Sequence, residues 1–208
     1  MIKSKHVWQR NVATVALCIA ATMSLQGCIE MVVGTAVVGT LAATDRRTLG
    51  AQTEDKAIIL KGETRISKFV GDEGHVNVTS FNRKVLLTGA VKDEAMKQAV
   101  EREVTSIEGV QSVVNDLEVS GLTNFTSRSN DSLITGKVKA SIVDTKNLSA
   151  NSIKVVTERG IVYLMGRVTQ NEGQLAAEVA RGVSGVRKVT KVFEYISDEE
   201  LKSLLNTK

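Results

Sequence analysis

The sequence predicts an α+β protein made of two tandem copies of one small α-β-β-α-β domain, each a three-stranded sheet with two helices on one face. Three observations lead there. The 208 residues are 42% apolar and 24% charged, an ordinary globular balance that argues against disorder. Laid on itself at a shift of about 77, VNVTSFNRKVLLTGAV (Val76 to Val91) falls on IKVVTERGIVYLMGRV (Ile153 to Val168), pairing Val78 with Val155, Val85 with Val162, Leu87 with Leu164 and Gly89 with Gly166. After a one-residue slip, IEGVQSVVNDLEV (Ile107 to Val119) falls on VSGVRKVTKVFEY (Val183 to Tyr195), and upstream Asp55, Ile58 and Ile66 fall on Asp131, Ile134 and Ile142. Finally, each copy runs from helical spacing through two period-two runs to a second helical pattern and a last strand, which buries two helices on one face of a sheet.

The segment ahead of the repeat reads as a targeting signal. Lys3, Lys5 and Arg10 form a positive start, Val12 to Met23 an apolar stretch, and Leu25-Gln26-Gly27-Cys28 closes it. The closing residues resemble the bacterial lipobox, although Gln26 is an uncommon occupant of its place. That resemblance implies a signal peptide over 1–27 and a Cys28 that takes a diacylglycerol thioether, becomes the new N-terminus and is then N-acylated. Ile29 in place of an Asp implies onward export to the outer membrane, with the protein facing the periplasm. Cys18 would leave with the signal, so the mature chain carries one lipidated Cys and no internal disulfide. Residues 28–51 then read as a lipidated tether; its apolar part, 31–43, is too short to span a bilayer.

The first domain is expected over 52–120. Its first helix carries Ile58 and Ile66, its two strands meet at a polar turn around Asn82, and its second helix carries Ala99, Val100, Val104 and Ile107. A linker, 121–130, leads to a second domain over 131–196. There Ile134, Val138 and Ile142 mark the first helix, Arg159-Gly160 the turn, and Leu175, Ala176, Val179, Ala180 and Val183 the second helix. Gly109 and Gly185 are expected to cap those second helices in left-handed conformation. The tail, 197–208, opens with capping-box spacing, Ser197 to Glu200, and predicts a short helix.

These residues resemble the BON domain family. The resemblance rests on the strand-ending glycine with flanking aliphatics, KVLLTGAV and IVYLMGRV, followed by the helix and the blocks IEGVQSVVNDL and VSGVRKVTKVF. With the lipobox, the DRRTLG stretch and the tandem arrangement, this chain resembles the dual-domain lipoproteins of that family. The resemblance implies binding of anionic phospholipid through the first helix of the second domain and a role in envelope integrity.

Residue content bears on chemistry directly. His75 is the one histidine left after the signal, so a hydrolytic triad has a single candidate base, and one His and one lipidated Cys cannot make up a Cys/His zinc set. Neither common phosphate-cradling glycine loop occurs, and no cofactor or metal is expected. Without the signal, 24 bases face 23 acids, which removes a general nucleic-acid footprint. The charge is unevenly shared: residues 52–119 carry 9 bases and 12 acids, net −3, and residues 131–196 carry 10 and 6, net +4. An anionic surface would attract the second domain and repel the first.

The first helix of the second domain supplies the candidate site. At about 100° per residue, Ile134, Val138 and Ile142 face the sheet, and Leu133, Gly136, Ala140 and Val143 centre on the opposite side with Lys137 and Lys139 on its flanks. An apolar strip between lysines suits an interfacial helix whose lysine stems reach up to phosphates. In the first domain, Glu63, Thr64 and Ser67 stand where Lys139, Ala140 and Val143 do. The family often has an aromatic where Leu133 stands, and leucine anchors less strongly at an interface. The expected partner is therefore anionic phospholipid. The alternative is a protein-interaction module that docks envelope proteins, and a distant third is an enzyme acting on envelope polymers.

Overall fold

The computed structural model describes residues 45–120 and 125–206. Cys28, the signal and the tether lie outside the described residues. The first repeat runs α1 (Leu49–Val70), β1 (Gly74–Phe81), β2 (Lys84–Val91), α2 (Glu94–Thr105) and β3 (Ser112–Val119). The second runs α3 (Phe125–Asp144), β4 (Ile153–Glu158), β5 (Ile161–Val168), α4 (Gln170–Arg181) and β6 (Lys188–Tyr195), and α5 (Asp198–Asn206) follows. Both are the expected α-β-β-α-β unit. In each sheet the middle strand, β2 or β5, pairs antiparallel with the strand before it and parallel with the one after. A parallel pair needs a crossover, which α2 and α4 provide.

Local chemistry sets the boundaries. Thr48 accepts the Ala51 N–H at 3.1 Å to start α1, Asp93 accepts the Met96 N–H at 2.8 Å to start α2, and Thr169 with Glu172 forms a complete capping box on α4. Ser197 starts α5 by accepting the Glu200 N–H at 3.1 Å, as its spacing predicts. Asn82-Arg83 and Arg159-Gly160 all have positive φ, the signature of two-residue mirror-image hairpin turns. A buried carboxylate on the preceding helix holds each turn: Asp55 accepts the Asn82 and Arg83 N–H groups at 2.8 Å, and Asp131 accepts those of Arg159 and Gly160 at 2.7 Å. This is why Asp55 and Asp131 share a place in the repeat.

Two expectations need correction. Gly109 and Gly185 are left-handed, at φ 90° and 96°, but α2 and α4 already end at Thr105 and Arg181, where Ser106 and Gly182 cap them in right-handed conformation. The glycines instead serve the next turn, in which Val110 and Val186 donate to the Ile107 and Val183 carbonyls. Also, α3 begins at Phe125, inside the expected linker, because its first turns are polar and carry no apolar period for a sequence reading to detect.

Alternate strand residues serve two cores. Val85, Leu87 and Val91 join Ile58, Ile66 and Val100 under the helices of the first domain; Val162, Leu164 and Val168 join Ile134, Val138 and Ala176 in the second. The intervening residues form a third cluster, Phe81 and Leu86 with Tyr163, Met165 and Val192. The two sheets thus pack on each other through the faces their own helices leave bare, which puts both helix layers outside.

Candidate lipid-binding face

α3 is fixed from beneath. Ile134, Val138 and Ile142 are 1%, 0% and 1% exposed, Asp131 holds the hairpin turn, and Thr135 donates to the Thr157 hydroxyl at 2.7 Å. Its other side faces outward: Leu133 and Val143 are 65% and 66% exposed, and Gly136, Lys137, Lys139 and Ala140 are exposed as well. A Cβ built on Gly136 would meet nothing within 4 Å. Because the domains join through their sheets, the first domain does not cover this strip. Neither Lys137 nor Lys139 is joined to a carboxylate by an ion pair among the described residues. Asp144, exposed and three helical turns beyond Leu133, falls on the same side and puts one negative charge at its end.

Such a surface can adsorb to something apolar with an anionic rim; it holds no groups arranged for bond chemistry. His75 is the second residue of β1 and half-buried, and burial, helped by Arg128, pushes its pKa below the ordinary histidine value. Among the described residues, no group of His, Cys, Asp and Glu could hold a metal ion.

The lead-in to α1 has a structural role that the sequence reading did not assign. Arg46 is 7% exposed and reaches across to the second domain, donating to the Glu172 carboxylate at 2.6 and 2.7 Å and to the Arg167 carbonyl at 2.8 Å. Arg47 turns back, pairs with Asp45 at 2.7 Å and Asp55 at 2.8 Å, and lies 4.1 Å over the Phe81 ring. Two adjacent arginines in a short polar lead-in were the available signal. Burial acts to raise the Glu172 pKa, but the Arg46 guanidinium and the Thr169 N–H outweigh it and hold the carboxyl below its usual range. Arg167 continues the network to Glu194 at 2.9 Å and to Glu200 of α5 at 2.6 Å, which ties the tail down.

Known proteins share this organisation. The BON domain family model matches residues 62–121 and 130–197. The chain is 39% identical over 183 residues to the outer membrane lipoprotein DolP of Haemophilus influenzae, covering 87% of this chain and 95% of that one. It is 32% identical over 154 residues to the 21 kDa hemolysin of Actinobacillus pleuropneumoniae, covering 73% and 79%. Osmotically-inducible protein Y of Escherichia coli is 36% identical over 107 residues, 51% of each chain. With two matched copies, each folded as a three-stranded sheet under two helices, the chain belongs to the BON domain family.

Proposed function

We propose that this chain is a non-enzymatic outer-membrane lipoprotein, anchored through Cys28 and facing the periplasm, whose second domain binds anionic phospholipid through α3 and so supports envelope integrity. The observation that carries the reading is the uncovered strip of Leu133, Gly136, Ala140 and Val143 between Lys137 and Lys139, left free because the sheets join the domains. The relative named as an outer membrane lipoprotein supports the location. No helix among the described residues is long and apolar enough to cross a membrane, and acyl chains on Cys28 would supply the anchorage. In this reading the acyl chains hold the protein at a membrane and α3 selects the patch of it.

The test uses the processed chain, residue 28 onward with Cys28→Ser, so that no acyl chain contributes. It should co-float with vesicles of phosphatidylglycerol and phosphatidylcholine, less so as salt rises, and not with phosphatidylcholine alone. Leu133→Glu should abolish co-flotation with an unchanged melting temperature. Binding that survives this substitution would overturn the reading. A second reading has its own observation: Leu60 is 67% exposed on α1 of the net-acidic first domain, an apolar point of contact suited to an envelope protein. Capture of such a partner that Leu60→Glu abolishes, with vesicles ignored, would favour it.

A further inference from the structure

The domains meet through contacts that repeat on both sides, so each can be compared with its counterpart. Asn82 donates to Glu194 at 2.6 Å, and Arg159, at the equivalent place in the second repeat, donates to Glu118 at 2.5 Å. The neighbouring contact is unmatched. On one side Asn77 of β1 donates to the buried Glu158 of β4 at 3.0 Å and closes the gap. On the other, Lys154 stands in the place of Asn77 and Phe81 in the place of Glu158, so the side that carries the cation lacks the carboxylate.

Among the described residues, no carboxylate pairs with Lys154 in place of the missing one. The Lys154 Nζ donates to the Ser80 carbonyl at 3.3 Å, and neither it nor Lys139 belongs to an ion pair among the described residues. Asp55 is already committed to Arg47, the Ser80 hydroxyl and two backbone N–H groups. Burial, with Arg47 and Lys139 nearby and the Asp55 charge only partly offsetting them, pushes the Lys154 ammonium below the ordinary lysine range. A half-buried cation without a contacting carboxylate is costly and gains from an anion that completes it.

This unmatched contact opens as a groove of about 380 Å³ whose lining includes Arg47, Phe81, Lys139, Val143, Ala150 and Lys154 and no carboxylate. Small-molecule sites run to roughly 300–1,000 Å³, so the groove suits a headgroup and not a whole two-chain lipid. Lys139 and Val143 belong at once to its rim and to the outward side of α3.

We propose that this groove binds the phosphodiester headgroup of a single anionic phospholipid, with Lys154 and Lys139 donating to the phosphate and Val143 turning the glycerol end toward the bilayer. The inference rests on the reading of α3 as the membrane-facing helix. It adds a site that takes one lipid molecule to a face that adsorbs to many.

The experiment separates the two levels. The processed chain with Cys28→Ser is titrated with monomeric dihexanoyl phosphatidylglycerol below its micellar concentration, and backbone amide shifts are followed. Shifts at Val143, Ala150 and Lys154 are expected. Lys154→Met, which keeps the stem and removes the unpaired charge, should weaken this binding by about tenfold or more, the loss expected of one charge-assisted hydrogen bond. Lys139→Glu, on the exposed rim, is the second variant and should do the same without touching the fold. Leu133→Glu should leave monomer binding intact while losing vesicles. Monomer binding that both lysine variants leave unchanged, or no groove shifts at all while wild-type vesicle binding persists, would overturn the groove and spare the α3 reading. Groove binding with no vesicle adsorption would do the reverse. Inorganic phosphate that displaces the lipid at equal concentration would make this a free-phosphate site and overturn the lipid assignment.

Discussion

α1 and α3 occupy the same place in two copies of one fold, and their inner faces match at Ile58 and Ile66 in one and Ile134 and Ile142 in the other, all buried, with Gly62 standing where α3 has Val138. Their outer faces are not. Where α3 presents Lys139, Ala140 and Val143, α1 presents Glu63, Thr64 and Ser67, and the hydroxyls of Thr64 and Ser67 bond back to the Leu60 and Thr64 carbonyls of their own helix. α1 does expose Leu60, so exposed apolar area alone does not separate the helices. What separates them is the continuity of the apolar strip and the charge of the domain around it, net −3 against +4. Folding constrains the inner face in both copies, and the outer faces have diverged in charge and apolar content.

The shared part of this comparison can be broken at the strand-ending glycines. A Cβ on Gly89 would lie 2.0 Å from the His75 carbonyl oxygen, and one on Gly166 would lie 2.2 Å from that of Ser152. Gly89 adds a φ of 120°, which a β-branched residue scarcely adopts. Gly89→Val and Gly166→Val should therefore each cost about 4 kcal/mol or more and unfold their own repeat, read by thermal melts and amide exchange. Unchanged melts would mean that the strand pairing is misassigned.

Next in size is the joint between the copies. Arg46→Ala leaves the half-buried Glu172 carboxylate with the Thr169 N–H and without its guanidinium, and should cost about 2–3 kcal/mol. The same pair predicts a pH dependence. Glu172 has a lowered pKa when folded, so its contribution is present above the ordinary carboxylate range and fades as pH falls through the depressed value. The melting temperature should fall on acidification in the wild type, with a shallower slope in Arg46→Ala; identical slopes would show that the pair does not couple the domains.

That joint was also the least legible part. The repeat, the element order and the inner core could be read because period-two and helical spacings are local signals. The facing of the domains could not be read that way, yet a trace of it was present: Leu86-Leu87 and Tyr163-Leu164-Met165 are unbroken apolar runs, as expected of strands buried on both faces. Reading them as simple alternation hid the second face. The outward set on α3 followed from helical angles alone, whereas the groove beside it depends on Arg47 and Phe81, far from Lys154 in sequence, and no local pattern joins them.

The divergent part is tested by charge. Each lysine close to an anionic surface contributes about 1 kcal/mol, so Lys137→Glu with Lys139→Glu should weaken vesicle binding by roughly thirtyfold or more at moderate salt. Lys61→Glu makes the matched change on α1 and should alter binding by less than about twofold, because that helix belongs to the acidic copy. Equal losses would mean that attraction is a property of the whole chain, and the contrast between the helices would carry no function.

The smallest effect is the sharpest, because it is a gain. Asp144 stands on the outward side of α3 where α1 has Lys68, so the helix proposed to face lipid carries an acid at a place where the other helix carries a base. If α3 lies on an anionic surface, that carboxylate is repelled by it, and Asp144→Asn should tighten vesicle binding by about 1 kcal/mol, roughly fivefold, in a salt-sensitive way. Lys68→Asn, which removes a charge at the equivalent place on α1, should leave binding alone. The pair discriminates between orientations, since a helix touching the membrane only through its N-terminal half would hold Asp144 more than a Debye length from the headgroups and show no gain. Leu133 would then carry the contact and Val143 would not, and Val143→Glu would be tolerated where Leu133→Glu is not.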